Sequence, residues 1–380
     1  MPTEPDTCII TPTVRNPEFI EEYIQNADAN GFDTDRLFVL MVTEDFCDTG
    51  GMRDLLDRLG VEGAVFGGKE RDAWYDEYGV SAYSDIVPAA SHAETSFGLL
   101  YMWSRPEFEY GIFLDDDTAP HPEFDFFGTH LDTLGTRETV EHVSSDEQWV
   151  NVLYQNAERH GLYPRGYPYS AMDEAVETET KETDEIVAVQ GLWTNIPDLD
   201  AVRILMDGDL DGQAQTLTRE SDFPYNFAAA EGDFLTVCSM NLSFRREIIP
   251  AFYQFPMDDN EWGIGRFDDI WSGLTLKKAA DMLDKSILNG HPLCEHNKAE
   301  RSTFKDLTNE VPALELNEHF WEALAAAPDD ADDYADAYEK MIDAVDEYDF
   351  SPYDNAEFID LVVEKMNRWL VVIRELQSEK

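Results

Sequence analysis

Positive charge is scarce in this chain, cysteines are few, and no long apolar run occurs. Only 27 Lys and Arg stand against 80 Asp and Glu in 380 residues, a formal net charge of -53. Phosphate contacts need clustered Lys and Arg, so nucleic acid is excluded as a partner class. The four cysteines, Cys8, Cys47, Cys238 and Cys294, lie far apart and form no Cys-x-x-Cys pair. That excludes a zinc knuckle or redox motif and leaves core thiols. No stretch approaches the roughly 20 apolar residues of a spanning helix. The opening Met-Pro-Thr-Glu-Pro-Asp has neither a basic n-region nor an apolar h-region. The expectation is a soluble, cytoplasmic protein with no stable membrane insertion.

The acidic residues are spread over nearly every segment, while hydrophobic residues still make up 43%. This is a folded chain with an acidic coat, not a disordered one. Such self-repulsion is tolerable where concentrated salt shortens the Debye length to a few ångströms, so the expected setting is a high-salt cytosol of halophilic type. The length suits one large α/β domain with an appendage. No internal repeat is present.

Short apolar runs alternate with helical patterns over the first 120 residues, as in a doubly wound, mostly parallel sheet. Strands are expected at 8–10, 37–42, 64–66 and just before Asp115, with helices from about Pro17, at 52–59 and at 93–103. Further on, a helix is expected near 147–160, a solvated acidic loop at 172–185, a strand at 186–189 and a long connection at 207–233. From about residue 300 the pattern turns helical, including 317–327, 329–348 and an amphipathic helix over 355–376. The expected division is an α/β domain over 1–300 and a helical extension over 301–380.

Tyr-Gly-Ile-Phe-Leu-Asp-Asp-Asp at 110–117 is a buried-strand pattern that stops at three carboxylates no buried strand accepts unpaired. Beyond the carboxyl end of a strand, such acids can hold a divalent cation through oxygen, and the cation a diphosphate. That is nucleotide-sugar chemistry. Thr13 and Arg15 follow the first strand, where open sheets place nucleotides, and Arg15 can fork onto phosphate. Arg266, Asp268 and Asp269 precede or open a helix. There the acids either cap the helix or serve substrate hydroxyls or as general base. His296 can complete a cation site begun by Asp115 and Asp117.

The chain resembles the reversibly glycosylated polypeptides, the UDP-arabinopyranose mutase family. The resemblance rests on Leu-Asp-Asp-Asp at 114–117, Arg-Gly-Tyr-Pro-Tyr-Ser at 165–170 and Gly-Leu-Trp-Thr-Asn-Ile-Pro-Asp at 191–198. Cys-Ser-Met-Asn-Leu-Ser-Phe at 238–244 and Gly-Arg-Phe-Asp-Asp-Ile-Trp-Ser-Gly at 265–273 continue it in the family's order. It implies a GT-A-like, Rossmann-type fold, and Mn²⁺ or Mg²⁺ at Asp115, Asp117 and His296. It also implies a UDP-sugar contacted by Thr13, Arg15, Asp115, Asp116, Trp193, Asn241 and Arg266, and an arginine, Arg165, that becomes reversibly glycosylated. A guanidinium is a poor nucleophile, so a carboxylate, Asp268 or Asp269, would have to take its proton. Glu44-Asp45 and Asn297 depart from the family's pattern and bear on which sugar is used.

The reading is a metal-dependent UDP-sugar enzyme that interconverts pyranose and furanose forms. Its rivals are a glycosyltransferase acting on a lipid, protein or glycan acceptor, and a non-catalytic binding or scaffold protein. A homo- or hetero-oligomer is left open.

Overall fold

Aliphatic runs with no polar alternation build the first half of the sheet, because strands covered by helices on both faces expose neither side to water. The computed structural model describes residues 4–15, 17–89, 91–155, 162–258 and 260–378. Here β1 (Thr7–Pro12), β2 (Leu37–Val42), β3 (Glu62–Phe66) and β4 (Tyr110–Leu114) pair in parallel in the order β3-β2-β1-β4. The intervening helices are α1 (Phe19–Asn30), α2 (Thr49–Leu59), α3 (Gly68–Glu77) and α4 (Thr95–Trp103).

The second half is mixed. Its elements are β5 (Thr118–Pro120), α5 (Phe126–Thr133), β6 (Thr139–Ser145), β7 (Val176–Glu182), β8 (Glu185–Asn195), α6 (Ala201–Asp207), β9 (Phe227–Ala229) and β10 (Asn241–Arg245). Then follow α7 (Asp268–Met282), β11 (Lys285–His296), α8 (Thr303–Ala325), α9 (Tyr334–Glu347) and α10 (Glu357–Ser378). The sheet continues from β4 through β10-β8-β11-β9-β6-β7, with β5 paired to β11. The α/β architecture is the expected one, and the antiparallel pairs all involve strands of this later half. Because β10 runs antiparallel to both β4 and β8, and β11 is parallel to β8, the carboxyl ends of β1, β4, β8 and β11 share one edge.

Several segments differ from the sequence expectation, among them the long connection expected at 207–233, which contains β9. The described part of the helix expected near 147–160 is a series of turns, and residues 156–161 lie outside the described residues. Ser145 Oγ accepts from the amides of Glu147 and Trp149, and Asn151 Oδ1 from that of Leu153. Side chains thus take the amide hydrogens a helix would use. The acidic stretch expected as a loop contains β7, seven exposed residues paired residue by residue with β6. Its alternating Thr and charged residues suit an edge strand, where charge discourages further pairing.

Helix α8 begins at Thr303, well before the expected 317. The C-terminal helices join the main core, which runs without a break from Cys8 to Leu376. Trp369 stacks on Tyr253 with centroids 4.9 Å apart and donates to the Pro250 carbonyl, and Trp103 donates to the Ile373 carbonyl.

Helix α4 lies against β1 through Gly98, where a Cβ would fall on Cγ2 of Ile10. Gly98→Ala should therefore destabilise the fold by about 1–3 kcal/mol, although alanine gains about 1 kcal/mol in helix propensity. Urea melts check this, with the exposed Gly50→Ala in α2 as a control that should be neutral or stabilising.

Candidate functional site

At the shared edge of β1, β4, β8 and β11 lies a cavity of about 330 Å³. Its floor is the turn after β4. The Asp115 carbonyl accepts from the Thr118 amide and hydroxyl, and the Asp115 amide donates to the Met240 carbonyl, so the three aspartates sit in a fixed turn. Ligand oxygens of Asp115, Asp116 and Asp117 all lie within 4.8 Å of one another. Asp116 accepts from the Thr13 hydroxyl at 2.8 Å and faces the Arg15 guanidinium at 3.2 Å. Burial, and then the charge of Asp117, raise Asp115 to about 7. Burial also raises Asp116, against the pull of Arg15. One buried oxygen each on Asp116 and Asp117 has no hydrogen-bond donor.

Strand β5 brings His296 to this floor by pairing it with Thr118. The His296 Nδ1 lies 2.6 Å from the Ile196 carbonyl, to which it donates, leaving Nε2 as an acceptor 3.7 Å from Asp117 Oδ1. Burial lowers the His296 pKa, which keeps the ring neutral. Two acceptors thus face each other with no proton between them, an arrangement a cation relieves. His296 stands next to Asp117 but outside the three-carboxylate cluster itself.

Across the cavity Arg165 is buried between two carboxylates. Its Nε and Nη2 lie 3.1 and 3.0 Å from Asp198 Oδ2, while Nη1 and Nη2 fork onto Asp269 at 2.8 Å each. Nη1 also donates to the Arg266 carbonyl. Hydrogen bonds thus engage Nε, both hydrogens of Nη1 and one of Nη2, and the other side of Nη2 is in ion-pair contact with Asp198. Burial opposes the charge, but Asp198 and Asp269 outweigh it and hold the Arg165 pKa well above its usual value. The local folding follows from three features. The Arg165 amide donates to the Asp198 carbonyl, Gly166 takes φ +86°, and Asp269 sits in the first turn of α7, where the helix dipole favours an anion.

Asp268 does not bond Arg165; it pairs with His92 at 3.1 Å. Burial disfavours an imidazolium there, but Asp268, with Asp115 and Asp269, raises His92 to about 10. The remaining wall is cationic. Arg266, at φ +67°, donates to Glu310 of α8 at 2.6 Å, and Arg301 lies 2.8 Å from Asp306. Lys298 is buried, and burial lowers it to about 8.

The cavity thus gathers Arg15, Asp115, Asp117, Arg165, Arg266, Asp268, Asp269 and His296 of the expected residues, with Thr13 and Asp116 bonded to each other just behind. Trp193 and Asn241 are placed elsewhere. Trp193 is 2% exposed in β8, and the Asn241 amide is consumed by His130 and the Pro292 carbonyl, so neither reaches the cavity. The sequence reading missed His92, Asp198 and Lys298. Asp198 and Lys298 lie in or beside motifs already noted, whereas His92, ahead of α4, carries no pattern of its own.

A model of the family described as "Reversibly glycosylated polypeptide" matches residues 80–378. UDP-arabinopyranose mutase 3 of Arabidopsis thaliana is 30% identical over 231 residues, 59% of this chain and 55% of that protein. Probable UDP-arabinopyranose mutase 2 of Solanum tuberosum is 32% identical over 220 residues, 56% and 53% of the two. The chain spans about half the length of the curated relatives it matches. Among solved structures, a mannosyltransferase of Pyrobaculum calidifontis in complex with GDP-Man and Mn²⁺ aligns at TM-score 0.36 and 12% identity, covering 97% of this chain and 87% of the other.

Arg165→Gln leaves two buried carboxylates without their cation and should cost about 3–5 kcal/mol of stability. The exposed Arg53–Glu70 pair should cost about 0–1 kcal/mol when Arg53 is replaced in the same way. Denaturant titration compares the two. Because His92 rises from 6.5 to about 10 on folding, its pair with Asp268 should stabilise fully below about pH 6.5 and fade as pH climbs through 10. Melting temperatures across pH 6 to 10.5 should show this fall in the wild type and a flatter profile in His92→Gln.

Proposed function

Since the chain belongs to the reversibly glycosylated polypeptide family, we propose that it binds a UDP-sugar in this cavity through Mn²⁺ or Mg²⁺ and interconverts the pyranose and furanose forms of the sugar. The observation that carries the reading is the carboxylate cluster after β4, with a buried Asp117 oxygen that no donor meets, opposite a buried arginine held by two further carboxylates. Asp115 and Asp117 would hold the cation, with the His296 Nε2 lone pair beside them. When bound, the cation supplies Lewis-acid stabilisation of the diphosphate. The donor set fits: hard oxygens and one neutral imidazole, in a place where carboxylates alone repel each other.

Arg15 lines both this cavity and a neighbouring recess of about 550 Å³ bordered by Val14, Phe46, Cys47 and Met52. We assign the nucleoside to that recess, at the ends of β1 and β2 where open sheets bind nucleotides, with phosphates passing under Arg15. Arg165 would receive the sugar. The edges of Arg165 are occupied by Asp198, Asp269 and the Arg266 carbonyl, so approach is across the plane of the guanidinium, and Asp198 or Asp269 already sits where a lost proton must go. The same lock favours a second reading, in which Arg165 is a fixed clamp and the sugar passes to an acceptor hydroxyl. We assign the acidic surface to a high-salt cytosol, where counter-ions relieve its repulsion.

Intact-mass measurement with a panel of UDP-sugars and Mn²⁺ or Mg²⁺, with product NMR, tests the proposal. A one-sugar adduct and a furanose product are expected from the wild type. Asp115→Asn/Asp117→Asn should lose activity by on the order of 10²-fold or more, the scale of losing Lewis-acid stabilisation worth several kcal/mol. Transfer to an added acceptor without an adduct would favour the second reading. Absence of metal-dependent UDP binding would sink both.

A further inference from the structure

Six of the chain's 27 Lys and Arg line this one cavity, a concentration that the acidic surface elsewhere does not share. Four of them are paired: Arg15 with Asp116, Arg165 with Asp198 and Asp269, Arg266 with Glu310, and Arg301 with Asp306. Lys305 is exposed and solvated. Lys298 is neither paired nor solvated. It is 6% exposed and lines the cavity, and no carboxylate comes within ion-pair distance of its ammonium among the described residues. The Asp198 charge that attracts it is already engaged by Arg165. A buried ammonium without an anion is costly, and a site that keeps one is built to receive an anion.

The position of Lys298 says which anion. The amide of Asn297 donates to the Asp117 carbonyl and the amide of Ala299 to Asp117 Oδ2, so the backbone on either side of Lys298 is stapled to the carboxylate floor. We propose that Lys298 is a catalytic residue that holds the β-phosphate of the nucleotide, on the side away from the carboxylate cluster, and stabilises it as it leaves the sugar. This rests on the UDP-sugar reading above. As the bond from C1 to the β-phosphate oxygen breaks, its electron pair stays on that oxygen, where the ammonium donates to it. The incoming nucleophile, an Arg165 nitrogen or an acceptor hydroxyl, supplies the pair for the new bond at C1 and gives its proton to Asp198 or Asp269. In the mutase reading the sugar ring opens and recloses while held on Arg165, and the transfer then runs backwards: a β-phosphate oxygen supplies the electron pair to C1, the bond to Arg165 breaks and its nitrogen regains the proton, with Lys298 keeping the diphosphate near the sugar.

The test is calorimetry of UDP and uridine, in EDTA so that no cation contributes, on wild type, Lys298→Met and Lys298→Arg, with thermal melts of the ligand-free proteins. Lys298→Met should weaken UDP binding by roughly 10- to 100-fold, the size of a charge-assisted hydrogen bond, and leave uridine binding unchanged. It should also raise the ligand-free melting temperature, because an unpaired buried charge is removed. Lys298→Arg should restore most of the UDP affinity. Opposite signs for stability and binding are the signature, since a merely structural lysine would lower both. Unchanged UDP affinity in Lys298→Met, or equal losses for UDP and uridine, would overturn the assignment while the UDP-sugar reading stands. If the wild type binds no UDP in EDTA, the same titrations are run with Mn²⁺; no UDP binding there either defeats that reading, and pyrophosphate titration decides the rest. Weaker binding in Lys298→Met then keeps an anion site at Lys298, and equal binding removes it.

Discussion

Like charges taken out of water must each find a counter-charge, and the arrangement at the carboxyl edge of the sheet follows from that requirement. Asp198 and Asp269 share Arg165, Asp268 takes His92, Glu310 takes Arg266, and Asp116 takes Arg15. The partners come from regions far apart in the chain, from the end of β1 to α8. Assembly of the edge therefore requires both halves of the sheet, α7 and α8 to be in place. The crowded carboxylates of Asp115 and Asp117, the latter with a buried oxygen that no donor meets, are the part of this lattice left short of cations, and the Lys298 ammonium is the part left short of anions. In the proposed function, a ligand carrying both signs, a metal-bound diphosphate, would complete both.

Much of the fold could be read from local pattern. The aliphatic run of β2 was located residue for residue, and the turn from β4 into three aspartates gave away the floor of the site, because a buried strand cannot end in free carboxylates by chance packing. The start of α7 at Asp268 was equally visible from the Gly-rich lead-in. What could not be read depends on partners distant in sequence. β7 is a strand only because β6 offers a ladder to it; its own residues are as polar as a loop's. Residues 147–155 have helical composition, yet Ser145 and Asn151 divert their amides.

The candidate site shows the same division. Arg165 and Asp269 lie in segments with a recognisable pattern, but their mutual contact depends on how the loop before β7 meets α7. Trp193 and Asn241 also lie in such segments and serve the core instead, where Asn241 joins His130 to the backbone at Pro292. A motif marks a place along the chain; which way its side chains face is set by the strand register. His92 illustrates the converse, a site residue with no pattern around it, positioned by the turn that starts α4 and identified by its carboxylate partner alone.

Asp117 accepts hydrogen bonds from the backbone on both sides of Lys298, and the strand leading to that segment, β11, is itself held by β8, β9 and β5. Floor and wall are consequently tied to each other by two backbone hydrogen bonds to Asp117. The gap across which a ligand must reach is then a fixed gauge, like the jaws of a spanner. Molecules would be sorted by their span before their finer chemistry is felt, and deletion of Glu300 alone would reset the gauge without touching Lys298 or His296.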